Sequence, residues 1–103
     1  MQVIPLEAIP NQSFNIVLNE QNCTIHIYQR GDYLFLDLTV DGTPIRQGAM
    51  CLVDIDLLNY EFIGFSGCLF FSDLLGKNGI PNYADLNSRY VLFFMTESEL
   101  MNV

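Results

Sequence analysis

From residue 12 to residue 52 apolar and polar side chains alternate with period two, in four runs separated by short turn signals. Alternation of this kind marks strands with one buried face. The separators are Glu20-Gln21, Gly31-Asp32 and Asp41-Gly42. Gly-Asp suits a type II′ hairpin, because glycine supplies the positive φ at the first central position, and Asp-Gly suits type I′. Two-residue loops fix which side chains face one another. The first turn then sets Leu18 opposite Cys23, Ile16 opposite Ile25 and Phe14 opposite Ile27. The second sets Ile27 opposite Leu36, Ile25 opposite Leu38 and Cys23 opposite Val40. The third sets Leu38 opposite Ile45 and Leu34 opposite Ala49. All of these positions fall on one face, which is the expected core face. The pattern predicts an all-β protein built on a four-stranded antiparallel meander over residues 12–52, extended into a small β-sandwich or partly closed barrel.

The rest of the chain is read as part of one β domain, 1–103. Residues 2–9 are an edge strand or arm, since Pro5 cannot sit in a central strand. Pro10-Asn11 turns the chain into the meander. Pro44 leaves the start of the fourth strand unpaired on its outer side. Residues 54–66 follow neither the helical nor the strand period and read as irregular extended chain with a turn near Gly64. Residues 68–73 (CLFFSD) and 89–96 (RYVLFFMT) are apolar on both faces, as in strands covered on both sides. Between them, 74–88 form a long loop, of the kind that is usually functional or mobile. Asp85–Ser88 is the place for at most one short helical turn. The tail, 98–103, is expected to fray.

The polar face of the meander holds the one arrangement that looks chemical. The same registers line up Asn15, His26, Asp37 and Arg46 across the sheet. A histidine between an amide and a carboxylate, with a guanidinium beyond, has the parts of an acid–base site. The plainer reading of His26, Asp37 and Arg46 is a structural polar row, an ion pair with a flanking histidine that stabilises the sheet by about 0.2–1 kcal/mol per pair. No nucleophile stands at a catalytic spacing from it, so no catalytic residue is assigned. On the same face Phe35 is expected opposite Gly48, where an aromatic ring covers a bare glycine.

Charge narrows the partners. Twelve acids against four bases give a formal net charge of −8. Nucleic-acid binding requires a basic surface to neutralise phosphates, so no nucleic-acid partner is expected. A polybasic membrane-surface role fails for the same reason. No run approaches the about 20 apolar residues of a membrane span, and MQVIPLEAIP lacks the basic start and apolar core of a signal peptide. Cys23, Cys51 and Cys68 form no CxxC pair and there is a single histidine, so neither zinc nor a cofactor is expected. Asp54 and Asp56 alternate as calcium-loop acids can, but Leu57 and Leu58 follow and no distal Glu completes a cage. Arg30-Gly31-Asp32 spells an adhesion tripeptide at a hairpin tip, although Gly31-Asp32 is what the turn itself demands. Thirteen Phe and Tyr residues are much aromatic surface for one small core, which points to a protein interface.

The segment YQRGDYLFLDLTVDGTPIRQGAMCL, residues 28–52, resembles the core of the small baseplate plug proteins of contractile-tailed phages. The opening MQVIPLEAIPNQSF is similar to their start, and the likeness returns at RYVLFFMT. It is carried by the Gly31 turn, Leu36-Asp37-Leu38, the Asp41-Gly42 turn and Gly48. The resemblance implies a non-enzymatic virion component, assembled in the bacterial host cytoplasm and lying in the tail baseplate between the tube and the hub–spike assembly. Its implied partners are other baseplate and tail-tube proteins, with a homo-oligomer as a further possibility. Two other readings of the residues stand beside it: a small-ligand-binding β-barrel lined by aromatic side chains, and a hydrolase using the row at His26, Asp37 and Arg46.

Overall fold

The computed structural model describes residues 2–58, 67–96 and Glu99. Its strands are β1 (Gln2–Ile4), β2 (Asn11–Leu18), β3 (Gln21–Arg30), β4 (Tyr33–Val40), β5 (Thr43–Met50), β6 (Cys68–Asp73) and β7 (Tyr90–Met95), with one 3-10 turn at Tyr83–Asp85. The protein is all-β. Strands β2-β3-β4-β5 form a four-stranded antiparallel meander, and β1-β7-β6 form a separate three-stranded antiparallel sheet. The two sheets do not close into a barrel. They share one core, in which Ile25, Ile27, Leu36 and Leu38 of the meander join Leu69, Phe71, Leu92 and Phe94 of the smaller sheet.

The middle hairpin has the expected register. Gly31 takes a positive φ at the tip, and Ile27 faces Leu36, Ile25 faces Leu38 and Cys23 faces Val40. The first turn lies one residue earlier than expected, at Asn19-Glu20, where both residues have positive φ. Asparagine tolerates the left-handed region well, so Asn19 is the better first residue of a type I′ turn. Ile16 therefore faces Cys23, not Ile25, and Phe14 faces Ile25, not Ile27. The slip in pairing is two residues, so every side chain keeps its face.

The last hairpin turns at Asp41-Gly42 as expected, but β5 then departs from the simple ladder. Val40 faces Thr43, Leu38 faces Arg46 and Leu36 faces Ala49, with register shifts on either side of Leu38. Each shift adds a residue to β5, as a β-bulge does. Ile45 is thus not opposite Leu38, and Ala49 is not opposite Leu34. Gly48 lies in the second bulge with φ +68, and Phe35 faces Met50 in place of Gly48. Two added residues again restore the parity, and Ala49 is buried.

In the smaller sheet β7 is central. Gln2–Ile4 pairs with Leu92–Phe94, and the ladder stops before Pro5. Phe70 and Phe93 are register partners and stack at 5.6 Å between centroids, on the side away from the core residues Leu69 and Phe71. Residues 53–57 run along the free side of β6, with Asp54 N donating to Phe71 O and Leu57 N to Leu69 O, each at 2.8 Å. The helical turn sits at Tyr83–Asp85, two residues before the expected Asp85–Ser88, and the chain is in the left-handed region by Asn87. The turn expected near Gly64 lies outside the described residues, as does the tail 98–103 apart from Glu99.

Candidate functional site

β3 and β4 bring His26 and Asp37 opposite each other on the outer face of the meander. His26 Nδ1 lies 3.5 Å from Asp37 Oδ2, and its Nε2 is 2.9 Å from Asn11 Oδ1. Asn15 stands two pairs further along, facing Thr24, whose hydroxyl donates to Asn15 Oδ1 at 2.8 Å. Arg46 is carried by the bulge to a place opposite Leu38, where its Nε donates to Leu57 O at 3.2 Å. His26 and Asp37 are therefore brought together, while Asn15 and Arg46 are engaged by other groups.

Asp37 holds the bulge. Its Oδ1 accepts the Gly48 N–H at 2.6 Å and the Tyr28 hydroxyl at 3.3 Å. The Tyr28 ring has two aromatic neighbours, His26 at 4.7 Å and Phe35 at 5.9 Å between ring centroids. Burial, and then the Asp37 charge, push the Tyr28 phenol above its ordinary pKa. Grooves of ≈ 360 and ≈ 410 Å³ run instead along β2, one lined by Asn15, Ile16 and Val17, the other by Gln12, Ser13 and Phe14. Neither His26 nor Asp37 lines them. A general base needs a substrate held against it, and this pair lies on sheet surface with its carboxylate engaged in backbone support.

The other residues marked in the sequence have structural duties. Arg30 lies over the Tyr28 ring, 5.4 Å from its centroid, and Gln29 Nε2 donates to Gly31 O at 2.9 Å. The Arg-Gly-Asp tip is thus tied back to its own hairpin. Asp56 Oδ1 accepts the Leu58 N–H at 3.1 Å. Among the described residues no group of three or more His, Cys, Asp or Glu could hold a metal ion. The thiols of Cys23, Cys51 and Cys68 are buried, and burial is the first cause that raises each pKa. A buried neutral thiol is a poor nucleophile.

The best-built polar cluster is one that the sequence reading passed over. Asp73 closes β6 and Arg89 precedes β7, and they meet across the base of loop 74–88. Asp73 Oδ1 accepts from Arg89 Nε at 2.9 Å and from Leu75 N at 3.0 Å. Its Oδ2 accepts from Arg89 Nη2 and from Gly79 N, both at 2.9 Å. The carboxylate is 2% exposed. The Arg89 guanidinium, followed by the backbone N–H groups, holds the Asp73 carboxyl well below the usual carboxylate range against the opposing effect of burial. A signal for the pair was available. An acid ending one apolar strand and an arginine starting the next must approach when a loop joins the two antiparallel.

This clamp fixes a loop that faces outward. Leu74, Leu75 and Ile80 are 57%, 60% and 48% exposed, beside a carboxylate that is almost fully enclosed. Leu86 fastens the far end of the loop in the core, and Tyr83 N donates to Gln29 Oε1 of β3 at 3.1 Å. Bulky aliphatic side chains held in solvent by an ion pair with an enclosed carboxylate form a contact surface more readily than a catalytic one.

A family model described as cyanophage baseplate Pam3 plug gp18 matches residues 1–97 of the chain. No curated protein matches it significantly.

Proposed function

Since the chain belongs to the cyanophage baseplate plug family, we propose that it is a structural component of a phage or prophage tail baseplate, assembled in the host cytoplasm and acting as a plug between the tail tube and the hub–spike assembly. It works through protein–protein contacts and without catalysis. Its partners are other baseplate proteins and the tail tube. The observation that carries this reading is the clamped loop: Asp73 and Arg89 fix the base of 74–88, and Leu74, Leu75 and Ile80 project into solvent. A stable interface draws its energy from a few desolvated apolar anchors presented with little loss of entropy on binding, and a pre-fixed loop meets that condition. The His26–Asp37 pair, by contrast, spends its carboxylate on the Gly48 bulge.

The test is recovery of the chain in tails purified from the phage or prophage that encodes it, with its density located in the baseplate by electron microscopy. Co-expression with the neighbouring tail proteins should give a complex that survives purification. Absence from intact tails would overturn the reading.

A further inference from the structure

We propose that β2 is a strand-addition edge, and that its occupant is a second copy of this chain paired antiparallel, β2 to β2, about a two-fold axis at Asn15. The backbone defines the edge. Leu18 and Gln21 flank the two-residue turn at Asn19-Glu20, which makes them a hydrogen-bonded pair, and such pairs recur at every second residue. Gln12, Phe14, Ile16 and Leu18 thus direct their N–H and C=O groups toward β3, and Ser13, Asn15 and Val17 direct theirs outward. Among the described residues nothing hydrogen-bonds to the backbone of Ser13, Asn15 or Val17 on that side.

The other edges are protected by means that proteins use to prevent strand addition. Residues 53–57 hydrogen-bond along β6. β5 carries Pro44, Arg46 and two bulges. β1 is three residues long and ends before Pro5. β2 has eight residues, NQSFNIVL, with no charge, no proline and an unbroken register. Of the two grooves described above, the one at Asn15–Val17 is otherwise lined by β3 and the Asp41-Gly42 turn, and the one at Gln12–Phe14 by Pro5, Leu6 and Glu7.

Self-complementarity selects the occupant. With Asn15 facing its own copy, the outward residues pair as Ser13 with Val17 of the second copy, which satisfies the free donors and acceptors of both strands. On the core side Phe14 falls opposite Ile16 of the second copy. Both side chains are only partly buried against the core, and this pairing would cover them. The chain carries a formal charge of −8, yet no charged side chain lies between residues 11 and 19. The neutral strand is therefore a place where two acidic copies can meet without like charges opposed.

This inference is independent of the baseplate reading, because it is read on the isolated chain and incorporation into tails is a separate measurement. Sedimentation velocity of the full chain should show a reversible monomer–dimer equilibrium from low to high micromolar concentration. Asn15→Lys places two ammonium groups together on the axis and should weaken dimerisation roughly ten-fold or more, with circular dichroism unchanged. Val17→Lys, at an exposed position, is a second variant should the first not fold. Under a mild oxidant Asn15→Cys should cross-link to itself, since facing strand residues lie within disulfide reach. Ser13→Cys should cross-link to Val17→Cys and not to itself. A wild-type chain that stays monomeric throughout, a dimer untouched by the lysine variants, or a Ser13→Cys chain that cross-links to itself as fast as Asn15→Cys would each overturn the proposal.

Discussion

Asp73 concentrates more of the fold's polar chemistry than any residue of the row on the meander. It accepts four hydrogen bonds, two of them from one guanidinium, in a place where the carboxylate is almost fully enclosed. Its folded pKa lies below the ordinary aspartate value of 3.8. A carboxyl with a depressed pKa binds its proton more weakly folded than unfolded, so acid favours unfolding. The stability gap between wild type and Asp73→Asn should be fully present above pH 3.8 and should close as pH falls from there toward the folded value. Urea melts across that range decide the matter, and a gap that does not change with pH would remove the clamp from the account. Gly79→Ala tests the same site sterically. A Cβ there would lie against the Tyr90 hydroxyl and 2.6 Å from Arg89 Nη2, pushing the guanidinium off its carboxylate. The variant should melt below wild type and show an altered amide resonance at Leu75, whose N–H Asp73 holds. The sequence contained this pair in plain terms, an acid at the end of CLFFSD and an arginine at the start of RYVLFFMT. A search for clusters close together in the chain passes over residues that only a hairpin brings together.

At the scale of elements, alternation was the strongest signal, because parity survives errors of register. The first hairpin slipped by two residues against expectation and the last gained two by bulging, and the core face stayed the same in both. What alternation does not carry is the identity of the turn residue or the position of a bulge. Those are properties of backbone conformation, and here they are written in Asn19 and Gly48, both in the left-handed region. Gly48 offers a clean test, since nothing lies within 4 Å of where its Cβ would be. The cost of a side chain there is backbone strain alone. Gly48→Ala should lose about 1 kcal/mol, roughly 4–8 °C in melting temperature, and Gly48→Val should lose more, because a β-branched residue resists positive φ. Thermal melts of the two variants check the order. If both melt with wild type, the bulge has moved or relaxed and Asp37 no longer has a fixed N–H to receive. The other bulge, nearer the turn, accounts for Arg46. A strand without it would have set this side chain beside Asp37, whereas the one residue it adds sets Arg46 opposite Leu38, where its Nε donates to the Leu57 carbonyl. Pairings between distant segments were less legible than turns: β1 finds β7 across most of the chain, and periodicity has no term for that.

For the whole molecule the question is which part of an acidic surface is built for contact. The meander presents polar side chains outward over much of its area, and the smaller sheet covers the core from the other side. Leu74, Leu75 and Ile80 stand out because the molecule maintains their exposure. Loop closure across these residues costs entropy, and the fold offsets it with a half-buried ion pair, a core leucine at position 86 and a bond to Gln29, while burying none of Leu74, Leu75 or Ile80. Exposed aliphatic groups gain nothing in the isolated chain. Replacing them with charge should therefore leave folding almost unchanged, as surface substitutions away from special features usually fall within about 0.5 kcal/mol. A double variant, Leu74→Glu with Leu75→Glu, should melt close to wild type and keep the Asp73 clamp. It should fail to copurify with the neighbouring baseplate proteins and fail to enter tails, since two charges brought into a desolvated contact have no partner there. Equal sensitivity of stability and assembly would mean that the leucines support the fold. Normal incorporation of the double variant would mean that the plug makes its contacts elsewhere on its surface.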